Sequence, residues 1–295
     1  MEPKSLDRLI TDALAIEAQD AREAGALGYM ARALVQATMP HSRPDTNEFE
    51  RRNGAFTLIM IAPSRIGLPY GVVPRLMLAW MTTEVVRTKA RELELGDSMS
   101  DFMRQLDMVP TGGRWGSISR LREQSRRLFT TSVSCLYDNT QASGEAGFRI
   151  ADRHLLWWDP QQPAQRSLFN STVTLSERFY EEVRTSPVPI DMRAMKALKK
   201  SPLALDVYFW LTYRLSYLRQ SRVIPWAALQ LQFGTGYRTD AHGRRDFKRA
   251  FLRELKKVAL IYPKAKVAAE EGGLALKPSA THIPVQPSLG IGRRS

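Results

Sequence analysis

Apolar and polar positions follow the same order twice along this chain. A long, almost uniformly apolar helical segment precedes a short amphipathic helix, a glycine-containing turn, an arginine-rich amphipathic helix and strand-like sequence. The copies keep register, because Arg87 and Arg214, like Leu106 and Phe233, lie 127 positions apart. Spacings of three and four between apolar residues predict helices. The pattern therefore predicts two related units, each with a helix-turn-helix and a trailing hairpin.

Turn and capping residues set the predicted element boundaries. The first half is predicted to begin with an alanine-rich helical segment over 5–37, interrupted by Gly25 and Gly28, a linker over 39–48 and a buried strand over 55–62. A long helix follows from Pro69–Pro74 to about Lys89, then a short strand at 92–96 and two helices, one capped by Ser98 or Ser100 and one capped by Ser117. Strands are predicted at 130–137, 147–158 and 168–174, and the loop between the strands at 130–137 and 147–158 is the predicted wing tip. In the second half they are helices at 191–199, 202–218, 225–233 and 240–258, and a hairpin with its tip at 271–273.

This order predicts an α+β fold with two tandem winged-helix domains behind an N-terminal helical arm. The proline-containing stretch at 184–192 marks the predicted domain boundary. The predicted divisions are an acidic helical arm and linker over 1–48, a first winged-helix domain over 49–185, a second over 186–285 and a disordered tail over 286–295.

Charge divides unevenly along the 295 residues, which carry a net +13 and have a pI of about 10.1. Residues 1–50 hold five basic and nine acidic side chains, a net charge of −4, which leaves +17 on the remainder. A basic body favours a polyanionic partner, although basic residues also serve solubility alone. We expect protein contacts from the acidic arm and phosphate contacts from the body.

The two arginine-rich helices, "SISRLREQSRRLF" (117–129) and "DAHGRRDFKRAFLRELKKV" (240–258), have one apolar face each. On a helical wheel, Arg120, Gln124 and Arg127 fall opposite that face in the first helix, and Arg126 falls at its flank. Arginine recognises guanine and glutamine recognises adenine through paired hydrogen bonds, so such faces suit DNA. For a single helix a solvated surface is the more usual interpretation, and the repetition favours DNA. The predicted DNA-binding residues are Arg114, Arg120, Gln124, Arg126, Arg127, Arg238, Arg244, Arg245, Lys248, Arg249, Arg253, Lys256, Lys264 and Lys266.

Signals for other chemistry are weak. The four histidines have no metal-ligand spacing, and no phosphate-binding glycine motif is present, so we expect no catalytic residues, metal or cofactor. The single Cys135 cannot form an internal disulfide and is expected in a core. No apolar run is long enough to span a bilayer, so a cytoplasmic protein is expected.

Several long stretches resemble the plasmid-encoded RepA replication initiators of broad-host-range Gram-negative plasmids. They include "FERRNGAFTLIMIAPSRIGLPYGVVPRLMLAWMTTEVVRT", "LGDSMSDFMRQLDMVPTGGRWGSISRLREQSRRLF" and "SPLALDVYFWLTYRLSYL", and the resemblance covers about residues 28–284. It implies a protein that binds repeated double-stranded sites at a plasmid origin, opens the neighbouring duplex and recruits host replication proteins such as the initiator and helicase. It also implies possible repression of its own promoter.

Two alternatives stay open at this stage. One is a transcriptional repressor only, and the other is a DNA nicking or priming enzyme whose site the sequence does not reveal. A homodimer is also possible, because the strand over 55–62 is apolar on both faces and needs cover from the protein's own helices or from a second chain.

Overall fold

The computed structural model describes residues 3–138, 143–156, 161–165, 171–234 and 236–284. Helices and mostly antiparallel strands alternate irregularly, as expected of the α+β class. The first half contains α1 (Pro3–Ala18), β1 (Leu27–Ala31), α2 (Arg32–Gln36), β2 (Glu48–Asn53), β3 (Phe56–Ile61), α3 (Val72–Thr88), β4 (Glu92–Glu94), α4 (Met99–Gln105), α5 (Ser117–Thr130), β5 (Ser132–Asp138), β6 (Ser143–Arg149), β7 (Ala151–Leu155) and β8 (Thr172–Leu175). The second half contains α6 (Glu177–Thr185), β9 (Pro187–Asp191), α7 (Met192–Leu198), α8 (Pro202–Tyr217), β10 (Arg222–Pro225), α9 (Trp226–Phe233), α10 (Ala241–Ile261), β11 (Val267–Ala269) and β12 (Gly273–Leu276).

The repeat seen in the sequence is a repeat of architecture. Without β2, β3, β5 and β6, the elements from α1 to β8 (the first unit) follow the same order as those from α6 to β12 (the second unit). Each unit closes with a three-stranded antiparallel sheet of matching order, β4-β8-β7 in the first and β10-β12-β11 in the second. The element order places α1 and β1 inside the first repeat. The predicted domain boundaries stay predictions.

The four additional strands form one antiparallel sheet in the order β2-β3-β5-β6. The β5–β6 hairpin therefore belongs to this sheet and is not the wing that the sequence pattern suggested. By its position in the repeat, the counterpart of the β11–β12 hairpin is β7–β8. The strand predicted at 55–62 is β3, an inner strand of this four-stranded sheet. Its side chains Leu58 and Met60 are buried, while Ile61 is 53% exposed.

The two units are joined by strand pairing between β1 and β9. The antiparallel register runs from Leu27 opposite Asp191 to Ala31 opposite Pro187, which relates the strands by an approximate two-fold axis at Tyr29 and Pro189. The alanine-rich pattern over 5–37 predicted helix here, and that prediction was wrong for β1, because pairing with β9 overrides local propensity. A Cβ on Gly28 would lie 2.3 Å from Met192 Sδ, so a larger residue at this position would require the Met192 side chain to move.

The long apolar helices α3 and α8 form the centres of the two units and of one continuous core. Both are buried around most of their circumference, which explains their lack of amphipathic patterning. Side-chain caps fix the starts of helices in both units: Ser98 Oγ accepts from Asp101 N, and Ser201 Oγ accepts from Ala204 N. The predicted Ser98 cap is confirmed. Ser117 instead lies one residue inside α5, after Gly116 at the cap position.

A buried ion pair connects α3 to α8. Arg75, fully buried, donates from Nε to Asp206 Oδ1 at 2.7 Å and from Nη2 to Asp206 Oδ2 at 2.6 Å. The same guanidinium also donates to the carbonyls of Met39 and Gly71, and His41 Nε2 lies 2.7 Å from Asp206 Oδ2. Burial alone would raise the pKa of Asp206, but the Arg75 charge and the His41 hydrogen bond hold it below its usual value.

We predict that R75M destabilises the protein by about 3–5 kcal/mol, because it leaves a buried carboxylate without its counter-charge. Urea unfolding followed by circular dichroism measures this. The double variant R75M/D206L should recover most of the loss, since it removes both charges. R104M is the matched control, because Arg104 forms an exposed pair with Asp101 worth about 1 kcal/mol or less. Equal destabilisation by R75M and R104M would contradict the role assigned to the pair.

The segment after β12 returns to α8 and buries His282. Tyr208 Oη accepts a hydrogen bond from Asp191 N at 2.9 Å and lies within hydrogen-bond distance, 2.8 Å, of His282 Nδ1. The Tyr262 ring centroid lies 4.7 Å from that of the imidazole. Burial lowers the pKa of His282 from 6.5 to about 4.

The folded state therefore favours neutral His282, and its contribution to stability is complete above pH 6.5 and lost as pH falls towards 4. We predict a decrease of roughly 3 kcal/mol in the free energy of unfolding from this group over that range. The H282Q variant should show a shallower dependence in urea titrations at several pH values. H242Q, at an exposed position of α10, should keep the wild-type slope. Identical pH profiles for wild type and H282Q would refute the assignment.

Candidate nucleic-acid interface

The helix α10 presents a row of cations to solvent. Asp240 caps its start by accepting from Gly243 N at 2.8 Å, and the buried side is anchored by Phe247, Phe251 and Val258. The predicted helix from about Asp240 to Val258 is confirmed and extends to Ile261. The exposed cations of this helix are Arg244, Arg245, Arg249, Arg253 and Lys256, all of them among the predicted DNA-binding residues. Lys248 is half-buried, with Nζ 4.6 Å from the centroid of the Trp226 ring.

Intramolecular contacts divide these cations into two groups. Arg249 pairs with Asp246 at 2.7 Å, and Arg253 Nε donates to Glu254 Oε1 at 2.9 Å. No ion-pair partner for Arg245 or Lys256 lies among the described residues, so both are available to an external anion. Exposed ion pairs are worth about 0–1 kcal/mol, so Arg249 can also exchange its partner for a phosphate or a base at little cost.

The buried Glu254 organises the second half of this surface. It accepts from Arg253 Nε and from Lys257 Nζ, the latter at 2.7 Å. Burial would raise the pKa of Glu254, but these two cations hold it below its usual value. The carboxylate thus stays ionised and fixes the two cations in place.

The second hairpin has an acidic tip and a basic base. The β11–β12 hairpin is confirmed, and its tip at Glu270 and Glu271 is pinned by hydrogen bonds from Trp226 Nε1 to both carbonyls at 3.1 Å. Lys264 and Lys266 are exposed at the base of the hairpin, before β11. Any phosphate contact by these lysines therefore comes from the base of the hairpin.

The exposed face of α5 differs from the one that the helical wheel predicted. Gln124 is 1% exposed and Arg127 is 7% exposed, so these two predicted DNA-binding residues lie in the interior. Gln124 Oε1 accepts from Tyr70 N at 2.9 Å, and Arg127 Nη1 donates to Leu68 O at 3.0 Å. The connection between β3 and α3 covers this side of the helix, and these side chains satisfy its backbone polar groups.

The cations that α5 does expose are Arg120, Arg122 and Arg126. Arg122 was not among the predicted binding residues. In the turns before the two basic helices, Arg114 and Arg238 are both exposed, and Arg238 pairs with Asp240 at 2.5 Å. The structure thus keeps twelve of the fourteen predicted residues at least partly accessible and removes Gln124 and Arg127.

An exposed tryptophan precedes α5 and was not singled out from the sequence. Trp115 is 81% exposed beside Arg114, whose guanidinium lies 5.0 Å from the centroid of the indole ring. An Arg-Trp pair between turn glycines is the only signal that the sequence offers for it. No cluster of three or more metal-ligating side chains occurs in the described part of the chain. Within the same residues, the helices are too short or too polar to cross a bilayer.

Solved structures with a similar fold contain two consecutive domains of one protein. A crystal structure of SeMet derivatives of domains 2 and 3 of RctB matches 81% of this chain and 94% of its own length, with a TM-score of 0.50 and 14% identity. A second crystal structure, of RctB domains 2–3 (RctB-155-483), matches 83% of this chain and 96% of its own length, with a TM-score of 0.49 and 15% identity. At this identity the likeness of the first structure concerns the fold alone.

Comparison of the sequence with profiles of protein families identifies the family of this chain. The profile of the plasmid-encoded RepA protein family matches residues 68–228, more than half of the chain. This chain belongs to the plasmid-encoded RepA family, which confirms the resemblance predicted from its sequence and identifies it as a plasmid replication protein. A comparison with curated proteins gives no match.

We predict that R127A lowers the free energy of unfolding by about 1–3 kcal/mol, because it leaves the Leu68 carbonyl without its donor. Q124A should act in the same direction through Tyr70 N. The neighbouring R126A is the matched control and should change stability by about 0.5 kcal/mol or less, since Arg126 is exposed. Urea unfolding measures all three. Equal stability of R126A and R127A would show that the interior contacts of Arg127 contribute nothing.

Proposed function

We propose that this protein is a plasmid replication initiator that binds repeated double-stranded sites at its origin through two tandem winged-helix domains. The observation that carries the proposal is the repeated unit. Each unit ends with the order helix, strand, helix, helix, strand, strand (α3, β4, α4, α5, β7, β8 and α8, β10, α9, α10, β11, β12, without the additional strands β5 and β6), and in each the last helix before the hairpin exposes a row of arginines. In winged-helix and helix-turn-helix proteins this helix enters the major groove.

The two helices are proposed to bind successive segments of one DNA site. Because β1–β9 pairing and the Arg75–Asp206 ion pair fix the two units to each other, α5 and α10 are held at a constant separation. Arg120, Arg122 and Arg126 contact DNA from α5, and Arg245, Arg249, Arg253 and Lys256 contact it from α10. Arg244, Lys248, Lys264 and Lys266 are assigned to the phosphate backbone.

Binding is proposed to promote opening of the neighbouring duplex and recruitment of the host initiator and helicase, in the cytoplasm and without catalytic activity of the protein itself. Homodimers and repression of its own promoter belong to the same proposal. Family membership in the plasmid-encoded RepA proteins and the basic faces support it.

Complementation tests the replication role. A plasmid that carries the origin but lacks the gene should replicate when the protein is supplied in trans. Repression of the promoter without replication of that plasmid would indicate a repressor only. Nicking of supercoiled origin DNA by the purified protein with a divalent metal ion would indicate an enzyme.

We predict that affinity for origin duplex falls by about tenfold or more over a few-fold rise in salt. R244A and K264A should each lower the log–log salt slope by about one, because Arg244 and Lys264 are assigned to the phosphate backbone. R249A, R253A or R120A should instead cost about 1–3 kcal/mol and relax preference at distinct base pairs if they read bases. Fluorescence anisotropy with wild-type and mutated sites separates these effects. R184A, in an exposed pair on α6, is the control and should bind as wild type. A flat salt slope would contradict the proposal.

A further inference from the structure

The turn before α5 displays an aromatic ring that is left exposed by the residues the structure describes. Among the large apolar side chains that the structure describes, Trp115 is the most exposed at 81%, followed by Val109 in the same turn at 76%. An indole left in water forgoes the apolar burial that tryptophan usually gains in a folded protein. A ring displayed in this way is typical of a binding surface.

Hydrogen bonds brace the turn although it is exposed. Ser117 Oγ donates to Val109 O at 2.6 Å and accepts from Thr111 N at 2.8 Å, and Thr111 Oγ1 accepts from Ser117 N at 2.9 Å. A Cβ on Gly116 would lie 2.2 Å from Thr111 O, so the turn closes tightly against its own backbone. The indole is therefore presented by a preorganised turn, which lowers the entropic cost of binding.

The second unit provides an internal comparison. Its corresponding turn carries Tyr237, whose ring packs against Phe247 of the core with centroids 5.7 Å apart. The two turns thus occupy the same place in the repeat, but only the first directs its aromatic ring outwards. Exposure of Trp115 is consequently not imposed by the architecture of the unit.

Cations lie around the exposed ring. The Arg114 guanidinium lies 5.0 Å from the centroid of the indole, and Arg120 Nη2 donates to the Trp115 carbonyl at 3.3 Å. Aromatic rings interleaved with basic side chains bind single-stranded nucleic acid, because every base offers a face for stacking and every nucleotide a phosphate. A protein partner would match the ring but would need acidic groups to match these arginines.

We propose that Trp115 stacks on an unpaired base of a single DNA strand, with Arg114 contacting a flanking phosphate and Arg120 of α5 holding the Trp115 carbonyl. The inference rests on the proposed DNA-binding function and adds a site to it. The basic helices bind the paired site, and the turn of the first unit holds a base of a strand that opening has released.

The test compares W115A, W115F and V109A with wild type by fluorescence anisotropy, on a labelled A+T-rich single-stranded oligonucleotide and on origin duplex. W115A should bind the single strand about fivefold or more weakly than wild type does, which corresponds to the loss of stacking on one base. It should bind duplex within about twofold of wild type. W115F should keep most of the single-strand affinity, and V109A should match wild type. Oligonucleotide carrying 2-aminopurine adds a direct readout, because stacking on the indole should quench its fluorescence with wild type and not with W115A.

Three outcomes would overturn the inference. If W115A bound the single strand as tightly as wild type and still bound duplex, the proposed stacking site would be rejected and the proposed function would not be affected. Equal losses on single strand and duplex would show that Trp115 is a general DNA contact. Failure of the wild-type protein to bind either form would reject the proposed function together with the site.

Discussion

The arrangement of this protein depends on one buried ion pair. Arg75 and Asp206 lie on the central helices of the two units, and each is held with its full set of hydrogen bonds where water is excluded. Burying either charge without the other costs several kcal/mol, so the pair is stable only when the units meet in one orientation. The guanidinium also donates hydrogen bonds to Met39 O and Gly71 O, so the connection after α2 is held by the same side chain. The β1–β9 ladder adds directional pairing between the two units.

The protein contains two copies of one scaffold, and the copies differ where they face solvent. In the second unit α10 is long and exposes five cations along its length. In the first unit α5 is shorter, and one of its sides is covered by the connection before α3, which leaves three exposed arginines. We infer that α10 provides the larger share of duplex binding, while the first unit adds the exposed Trp115 and the inserted four-stranded sheet.

Local signals predicted much of this fold. The helices α3, α8 and α10 follow from long apolar or amphipathic patterns, and Ser98 caps α4 as predicted. Prediction failed where strands pair with partners distant in sequence. The alanine-rich segment that contains β1 was predicted as helix, but β1 forms a strand because β9 lies beside it. The β5–β6 hairpin has the sequence of a wing, but its partner β3 precedes it by a whole helix-turn-helix. For the candidate site, the wheel placed Gln124 and Arg127 outside because periodicity carries no information on the loop that covers them.

The central claim is that two rigidly joined basic helices bind adjacent segments of one DNA site. Hydroxyl-radical footprinting on an origin duplex tests it most directly, with wild type, a variant that removes Arg120 and Arg126, and one that removes Arg249 and Arg253. We predict two protected segments about one helical turn apart, each lost or weakened in one variant only. A single protected segment, or uniform weakening of both segments by either variant, would contradict it.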